Sequence, residues 1–236
     1  MNAIDTFLRY SRQMMVPEIG AEGQQKLINS KVLVIGAGGL GCPILQYLAC
    51  AGVGTIGIID FDVIELHNLH RQILYNDKQT GKSKAIVAAE ALKQLAPHAT
   101  FQILDEKLTQ ANALQTLKSY DLIVDGSDNF VTRYLVNDTC VQLNKPLVYG
   151  SILNFEGQIA VFNNNGGKNL RNLFPEPPNA GDVPNCSLNG VINTLPGIIG
   201  TMMAQETIKL LCNMPVLYNE LLIFNTLQWS LLKISF

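Results

Sequence analysis

Charged residues are scarce in this sequence, and the two signs are nearly balanced. Only 15% of the 236 residues are charged, with 17 lysines and arginines against 19 aspartates and glutamates. No cluster of basic residues is present, so the chain lacks the concentrated positive charge that sequence-independent nucleic-acid binding requires. Disorder is excluded as well, because 47% of the residues are hydrophobic and such a chain can bury a core.

Two long stretches without charge have to be considered as membrane spans. They cover 32–59 and 183–205, but the first contains seven glycines and the second contains two prolines and three asparagines. A span needs about 20 consecutive, predominantly apolar residues, so we expect neither stretch to cross a membrane. The amino-terminal sequence MNAIDTFLRYSRQ is charged and lacks an apolar h-region, so we expect no signal peptide and a cytoplasmic location.

The sequence also lacks closely spaced cysteines. Its five cysteines stand far apart, and none forms a C-x-x-C pair. Such spacing predicts reduced thiols in a cytosol, not a disulfide framework or a metal site. Cys42, Cys50, Cys140 and Cys212 fall in predicted helices, where we expect them to be buried in the core.

Apolar segments typical of strands alternate with segments of helical periodicity along most of the chain. This alternation predicts a parallel sheet with helices on both faces, within a single domain over 1–236. Two short helices within residues 1–30 precede the first strand, and two strands at 220–224 and 229–234 predict an antiparallel extension at the carboxyl end. The stretch 163–185 interrupts the pattern with many asparagines and prolines and predicts a long, flexible surface loop.

A glycine-rich turn follows the first predicted strand and opens a helix. It reads Gly36-Ala37-Gly38-Gly39-Leu40-Gly41, and Asp60 ends the next strand 19 residues after Gly41. Glycines let the backbone approach a phosphate at the helix N-terminus, and the acidic residue can accept hydrogen bonds from ribose hydroxyls. The pattern predicts an α/β, Rossmann-like nucleotide-binding fold. It leaves the nucleotide open, because an NAD enzyme would carry the same residues.

Cations after Asp60 favour a triphosphate over a dinucleotide. Arg71 follows the second strand, and Lys84 stands in the first turn of a helix, where a cation is locally disfavoured unless an anion comes to meet it. The alternatives are a solvated lysine and a surface ion pair of Arg71 with a nearby acid. Asp128 follows the fourth strand and could coordinate Mg²⁺, or it could cap the helix that begins at residue 130.

Taken together, several motifs resemble the MoeB/ThiF/HesA family, the bacterial relatives of ubiquitin-activating enzymes. The resemblance spans about 5–232 and is carried by the glycine-rich turn and by short segments along the chain: Arg9-Tyr10-Ser11-Arg12-Gln13, Asp60-Phe61-Asp62, Asn68-Leu69-His70-Arg71-Gln72, Lys84 and Ser127-Asp128-Asn129. It implies an ATP-dependent adenylyltransferase. Such an enzyme activates the C-terminal glycine of a small ubiquitin-like sulfur carrier of the MoaD/ThiS type, with release of pyrophosphate, for molybdopterin, thiamine or related sulfur transfer.

The same resemblance assigns roles to individual residues. Gly39 would lie against the phosphates, with Asp60 on the ribose and Asn129 beside the nucleotide. Asn68, Arg71 and Lys84 would hold the triphosphate, and Asp128 would take the magnesium ion. Arg12 matches an arginine that reaches into the partner subunit's site, which implies a homodimer.

Two features concern residues at which the family binds zinc or sulfur. Asn169 and Asn172 stand where family members carry the first of two zinc-binding cysteine pairs, and the sequence to Phe236 shows no second pair. We therefore expect no zinc site, because zinc needs thiolate or imidazole ligands. Cys186 matches a cysteine that accepts the carrier or sulfur in some relatives. A nucleophile and a small structural thiol both stay open for it, because no basic neighbour in the sequence promises a lowered pKa.

Three other functions are weighed against this one. The enzyme could adenylate another carboxylate, on a peptide or a modified tRNA. It could be a nicotinamide-dependent oxidoreductase, which Arg71, Lys84 and Asp128 disfavour. It could also be a non-catalytic partner that retains the fold, an idea that the missing cysteines favour and the intact charged residues oppose.

Overall fold

The computed structural model describes residues 3–178 and 190–236, and within them one sheet of eight strands forms the centre of the protein. The strands are β1 (Lys31–Ile35), β2 (Thr55–Ile59), β3 (Thr100–Leu104), β4 (Leu122–Asp125), β5 (Leu147–Leu153), β6 (Glu156–Phe162), β7 (Glu220–Asn225) and β8 (Ser230–Ser235). Their order across the sheet is β3-β2-β1-β4-β5-β6-β7-β8. Strands β1 to β5 pair in parallel and β5 to β8 pair antiparallel. This confirms the predicted fold class, including the antiparallel extension.

Eight α-helices accompany the sheet in the described residues. They are α1 (Ala3–Met14), α2 (Gly20–Asn29), α3 (Gly41–Ala51), α4 (Lys84–Leu95), α5 (Ala113–Lys118), α6 (Phe130–Leu143), α7 (Leu170–Leu173) and α8 (Thr194–Leu211). Two short 3₁₀ turns, Leu66–Asn68 and Asp77–Gln79, lie in the connection from β2 to α4. No helix in the described part of the chain has the length and the apolar character that a membrane crossing requires.

Both faces of the parallel strands are covered, as their continuous apolar sequences require. In β1 the side chains alternate: Val32 and Val34 belong to a core shared with α2, α3, α4 and α8, whereas Leu33 and Ile35 belong to a core shared with α5 and α6. At the edge of the sheet that β8 forms, every residue of the strand is exposed. The sheet therefore has a fully buried centre, and the site is built at one end of that centre.

Two expectations about local structure need correction. Cys42, Cys140 and Cys212 are buried as predicted, but Cys50 is exposed because it falls on the outer side of the last turn of α3, between two buried alanines. The segment predicted as a loop from 163 to 185 contains the helical turn α7 in its described part. Sequence patterning missed this turn because a four-residue helix has too few positions to show a periodicity.

Candidate nucleotide site

An open cleft of about 810 Å³ lies at the carboxyl ends of β1, β2 and β4. Here β1 has β2 on one side and β4 on the other, so the chain leaves neighbouring strands in opposite directions. Such a switch point is where ligands bind in open α/β sheets. Of the residues predicted to bind nucleotide or metal, nine line the cleft: Gly36, Gly38, Gly39, Asp60, Asn68, Arg71, Lys84, Asp128 and Asn129.

Two glycines of the turn between β1 and α3, Gly36 and Gly41, leave no room for a side chain. Gly36 has φ +86°, a conformation that L-residues with side chains rarely adopt, and a Cβ at Gly41 would come within 2.0 Å of the Gly36 carbonyl oxygen. A Cβ at Gly39 would meet Pro196 at 3.3 Å and the stem of Arg71 at 3.7 Å. Gly41 supports the turn from inside and is not part of the cleft wall. The turn thus presents backbone to the cleft at the start of α3, which suits an anion.

Asp60 forms part of the cleft floor next to this turn. Its Oδ2 accepts a hydrogen bond from the Ala37 N–H at 2.7 Å, and its Oδ1 accepts one from the Asp62 N–H at 2.8 Å. Burial raises the pKa of the Asp60 carboxyl, and the two backbone donors oppose that rise. Each oxygen keeps a further lone pair, so the fixed carboxylate can still accept hydrogen bonds from hydroxyl groups of a ligand.

Asn68 and Arg71 line the cleft beside Asp60. The Arg71 guanidinium donates from Nη2 to Asn68 Oδ1 at 2.9 Å and from Nη1 to the His67 carbonyl at 3.2 Å. Within the described residues no carboxylate lies close enough to Arg71 for an ion pair, so the surface-pair alternative is wrong. Asn68 and this backbone carbonyl hold the guanidinium while leaving its charge unneutralised.

Lys84 is the first residue of α4, and its side chain is almost fully buried. Its Nζ lies 2.9 Å from Asp62 Oδ2, so the alternative of a solvated lysine is wrong. A hydroxyl that sequence analysis missed joins this helix to the glycine-rich turn: the buried Tyr75 Oη lies 2.7 Å from the Ala37 carbonyl and 3.2 Å from the Lys84 carbonyl. The two phosphate-binding elements predicted from the sequence are therefore tied to each other.

Asp128 stands at the rim of the cleft with its side chain exposed. The helix cap is provided by Asn129, whose Oδ1 accepts a hydrogen bond from the Thr132 N–H at 2.9 Å, so the interpretation of Asp128 as the cap is wrong. In the described residues no group of three or more His, Cys, Asp or Glu side chains could hold a metal ion. The exposed carboxylate of Asp128 at the cleft rim is an oxygen donor of the kind that Mg²⁺ takes from a protein when phosphate oxygens and water supply its other ligands.

Two of the predicted catalytic residues are not part of this cleft as described. Arg12 is exposed on α1, and within 3–178 and 190–236 its guanidinium makes one long contact, 4.0 Å, to Met15 Sδ. Cys186 lies outside the described residues. Sequence analysis in turn missed Gln72 and Arg133, which are buried and line the cleft. The sequence of α6 does not single out Arg133, because the helix also contains Asp138 and several uncharged polar residues.

The positions at which zinc-binding cysteines would stand are used differently in this chain. Asn169 and Asn172 cap α7 reciprocally: Asn169 Oδ1 accepts from the Arg171 N–H, and Asn172 Oδ1 accepts from the Asn169 N–H, each at 2.9 Å. The Arg171 guanidinium donates to both carboxylate oxygens of Asp138 at 2.8 Å and lies over the Tyr134 ring. Hydrogen bonds and an ion pair therefore hold this turn to α6.

Comparison with known proteins gives matches over almost the whole chain. The model of the ThiF family matches residues 10–235. A sulfur carrier protein adenylyltransferase of Thermus thermophilus is 47% identical over 233 residues, which cover 96% of this chain and 86% of that protein. The adenylyltransferase and sulfurtransferase MOCS3 of Aedes aegypti is 51% identical over 218 residues, 92% of this chain but 50% of that protein. The chain thus spans about half the length of this second relative.

A solved structure agrees in fold. The crystal structure of E. coli MccB with MccA-N7isoASN superposes with a TM-score of 0.84 over 96% of this chain and 71% of that chain, at 22% sequence identity. At this identity the likeness establishes the fold alone.

Proposed function

The chain belongs to the ThiF family, and we propose that it is an ATP-dependent adenylyltransferase for the C-terminal glycine of a small ubiquitin-like sulfur carrier. Family membership was predicted from the sequence and is confirmed. The relatives named sulfur carrier protein adenylyltransferase and MOCS3 support the proposed activity. The observation that carries it in this chain is one cleft that combines a glycine-rich turn, a fixed carboxylate and two cations.

The proposed reaction needs positioning and charge neutralisation more than acid–base catalysis. A terminal carboxylate has a pKa of about 3.5, so it is already ionised at neutral pH and needs no general base. Its oxygen attacks the α-phosphorus of ATP, the bond from that phosphorus to the bridging oxygen breaks, and pyrophosphate leaves. The obstacle is repulsion between the carboxylate and the triphosphate. Fixed cations in a cleft lower this barrier without having to reorganise during the reaction.

Each residue of the cleft has a role in this proposal. Asp60 accepts hydrogen bonds from the ribose, and the backbone at Gly39 lies against the phosphates, near Asn129. Arg71 and Lys84 bind phosphate oxygens, with Asn68 orienting Arg71. Asp128 would hold Mg²⁺, which when bound neutralises phosphate charge.

The experiment that tests this activity is ATP–pyrophosphate exchange with Mg²⁺, using candidate carriers with and without their terminal Gly-Gly. Exchange that requires the two glycines supports the proposal and identifies the carrier. Tight ATP binding without exchange for any carrier would contradict it, and would favour another carboxylate substrate or a non-catalytic role.

We also propose that the active unit is a homodimer in which Arg12 serves the partner's cleft. This assignment agrees with the exposed position of Arg12 outside the cleft of its own chain. A reducing compartment such as the cytoplasm suits Cys42, Cys50, Cys140 and Cys212, which are free thiols. Cys186 is kept as a candidate for acyl or sulfur transfer, with a structural thiol as the alternative.

Subunit mixing tests the homodimer directly. Arg12→Ala and Arg71→Ala should each be inactive alone, because every cleft then lacks one cation. When the two variants are co-expressed, activity should return to about a quarter of the wild-type value, because half of the dimers are mixed and each mixed dimer has one complete cleft. If the two residues act in the same chain, no activity returns.

A further inference from the structure

The turn that carries Asp128 is packed directly against the glycine-rich turn. The Gly126 N–H donates to the Ile35 carbonyl at 2.9 Å, and the Gly126 carbonyl oxygen lies 3.1 Å from the position that a Cβ at Gly36 would take. A small displacement of residues 125–129 would therefore disturb both sides of the cleft. Asp128 itself forms no hydrogen bond or ion pair in the described part of the chain. Other side chains must therefore hold this turn in place.

Two buried side chains, Asp125 and Arg133, hold the turn through Ser127. Asp125 Oδ1 accepts a hydrogen bond from the Ser127 N–H at 3.0 Å, and Arg133 Nη2 donates to the Ser127 carbonyl at 3.1 Å. Both the N–H and the carbonyl of Ser127 are thus bound by buried side chains, and the hydrogen bond from the guanidinium is charge-assisted and therefore stronger than a neutral one. Ser127 is the residue directly before Asp128.

The arginine is itself fixed by aromatic neighbours. Arg133 Nη1 donates to Tyr149 Oη at 3.3 Å, and the guanidinium carbon lies 5.4 Å from the centre of the Tyr149 ring and 5.5 Å from that of Phe130. Only 7% of Arg133 is exposed. The side chain therefore connects β5 and the first turn of α6 to the turn before that helix.

This arrangement is costly if its purpose is stability alone. Asp125 is fully buried, and among the residues that the structure describes Asp125 Oδ2 and Arg133 Nε find no hydrogen-bond partner. Unpartnered buried polar atoms are rare in folded proteins and call for an explanation. Burying two ionisable side chains costs free energy that well-packed apolar residues at the same positions would not cost. A role in shaping the neighbouring cleft explains why this pair occupies the position.

We propose that Arg133 is a positioning residue that, together with Asp125, fixes the Ser127 peptide so that the Asp128 carboxylate stays at the cleft rim to bind the metal ion. The inference rests on the proposed function, in which Asp128 holds Mg²⁺. Arg133 acts through Asp128 and not by binding phosphate.

The test is Arg133→Lys, which keeps the charge beside Asp125 but loses the planar group that reaches Ser127 and Tyr149 together. Mn²⁺ is titrated in the presence of a non-hydrolysable ATP analogue, and free Mn²⁺ is followed by electron paramagnetic resonance. We expect the affinity for Mn²⁺ to fall about tenfold, the effect typical of removing a group that orients a metal ligand. Binding of the analogue in EDTA should stay within about twofold of wild type, because the phosphate-binding groups are untouched.

The matched control is Arg171→Lys, since Arg171, like Arg133, lies over a tyrosine ring and holds a neighbouring turn, but it is not part of the cleft. It should leave the affinity for Mn²⁺ unchanged. If Arg133→Lys fails to fold, the double variant Asp125→Asn/Arg133→Gln removes both charges together and leaves neither unpaired. Its affinity for Mn²⁺ should fall as well.

The outcomes separate this inference from the proposed function. Wild-type Mn²⁺ affinity in a folded Arg133 variant, while wild type itself binds Mn²⁺ with the analogue, would overturn the inference alone. An equal loss of analogue binding in EDTA would also overturn it, because Arg133 would then serve the phosphates directly. If wild type binds no Mn²⁺ with the analogue, the proposed role of Asp128 fails first.

Discussion

Lys84 Nζ and Asp62 Oδ2 lie 2.9 Å apart, and 6% of the lysine side chain but 51% of the aspartate side chain is exposed. The lysine is therefore a buried cation whose only ion pair in the described residues is with a carboxylate at the cleft wall. Asp62 is further fixed by its backbone, since its carbonyl accepts from the Lys84 N–H at 3.0 Å. In the free protein, Asp62 thus provides the negative charge beside Lys84. In the proposed complex, a phosphate of the nucleotide would provide it.

Asp62→Asn should destabilise the free protein, and nucleotide binding should compensate for this loss of stability. We expect the free energy of unfolding to fall by about 1–2 kcal/mol, less than for a fully buried pair because the carboxylate is half in water. Saturating MgATP should shrink this difference, because phosphate replaces the missing counter-ion and binding stabilises the folded state. Denaturant unfolding with and without MgATP measures both effects. Asp77→Asn, at an exposed position outside the cleft, serves as the control. If MgATP does not reduce the loss of unfolding free energy caused by Asp62→Asn, phosphate does not replace Asp62 as the counter-ion of Lys84.

Arg71→Ala should impair the reaction far more than the fold. The guanidinium is held by a backbone carbonyl and by Asn68 without a carboxylate, so its charge is available for phosphate. We expect the rate of ATP–pyrophosphate exchange to fall about 100-fold or more, while the free energy of unfolding changes by less than about 1 kcal/mol. Lys82→Ala removes an exposed cation from the same segment and should have little effect on either. Near-normal exchange by Arg71→Ala would remove Arg71 from the proposed mechanism.

The Arg171–Asp138 pair should make the stability of the protein pH-dependent on the acid side. The hydrogen bonds from Arg171 lower the pKa of the Asp138 carboxyl below its usual value. A carboxyl with a lowered pKa in the folded state adds stability above its unfolded pKa of about 3.9, and this contribution is lost as the pH falls through the lower, folded value. Asp138→Asn should therefore be less stable than wild type at neutral pH, and the two stabilities should converge in acid. A constant difference across that pH range, measured by denaturant unfolding, would show that the pair's charge contributes nothing.

Chelation should leave the protein intact. The turn at which family members carry zinc-binding cysteines is held in this chain by the capping box of Asn169 and Asn172 and by the contacts of Arg171. We expect no stoichiometric zinc on metal analysis and no change in Tm after treatment with EDTA, because asparagine is not a zinc ligand of structural sites. One zinc ion per chain would refute this prediction, and a Tm lowered by EDTA alone would point to another bound metal.

The sequence by itself determined the fold class and predicted nine of the residues that line the cleft. Two element boundaries follow the sequence closely: the second strand ends at Ile59, next to Asp60, and α6 begins at Phe130, as predicted. The glycine-rich turn and Asp60 can be recognised from the local sequence, because backbone conformation and spacing along the chain suffice to indicate a nucleotide. Arg71 and Asp128 were predicted because they follow the ends of predicted parallel strands, which meet at one edge of the sheet, and Lys84 was predicted because it is a cation in the first turn of a helix.

Tertiary structure alone decided which groups support these residues. Tyr75 joins Ala37 to Lys84, and Arg133 reaches back to Ser127, through contacts between elements whose relative placement no local pattern specifies. It also decided that Asn129 and not Asp128 caps α6, and that Cys50 faces outward. The contact between Tyr75 and Ala37, which are 38 residues apart, illustrates the physical reason. Propensity and periodicity act over a few residues, whereas the partner of a buried polar group is chosen by packing between distant segments.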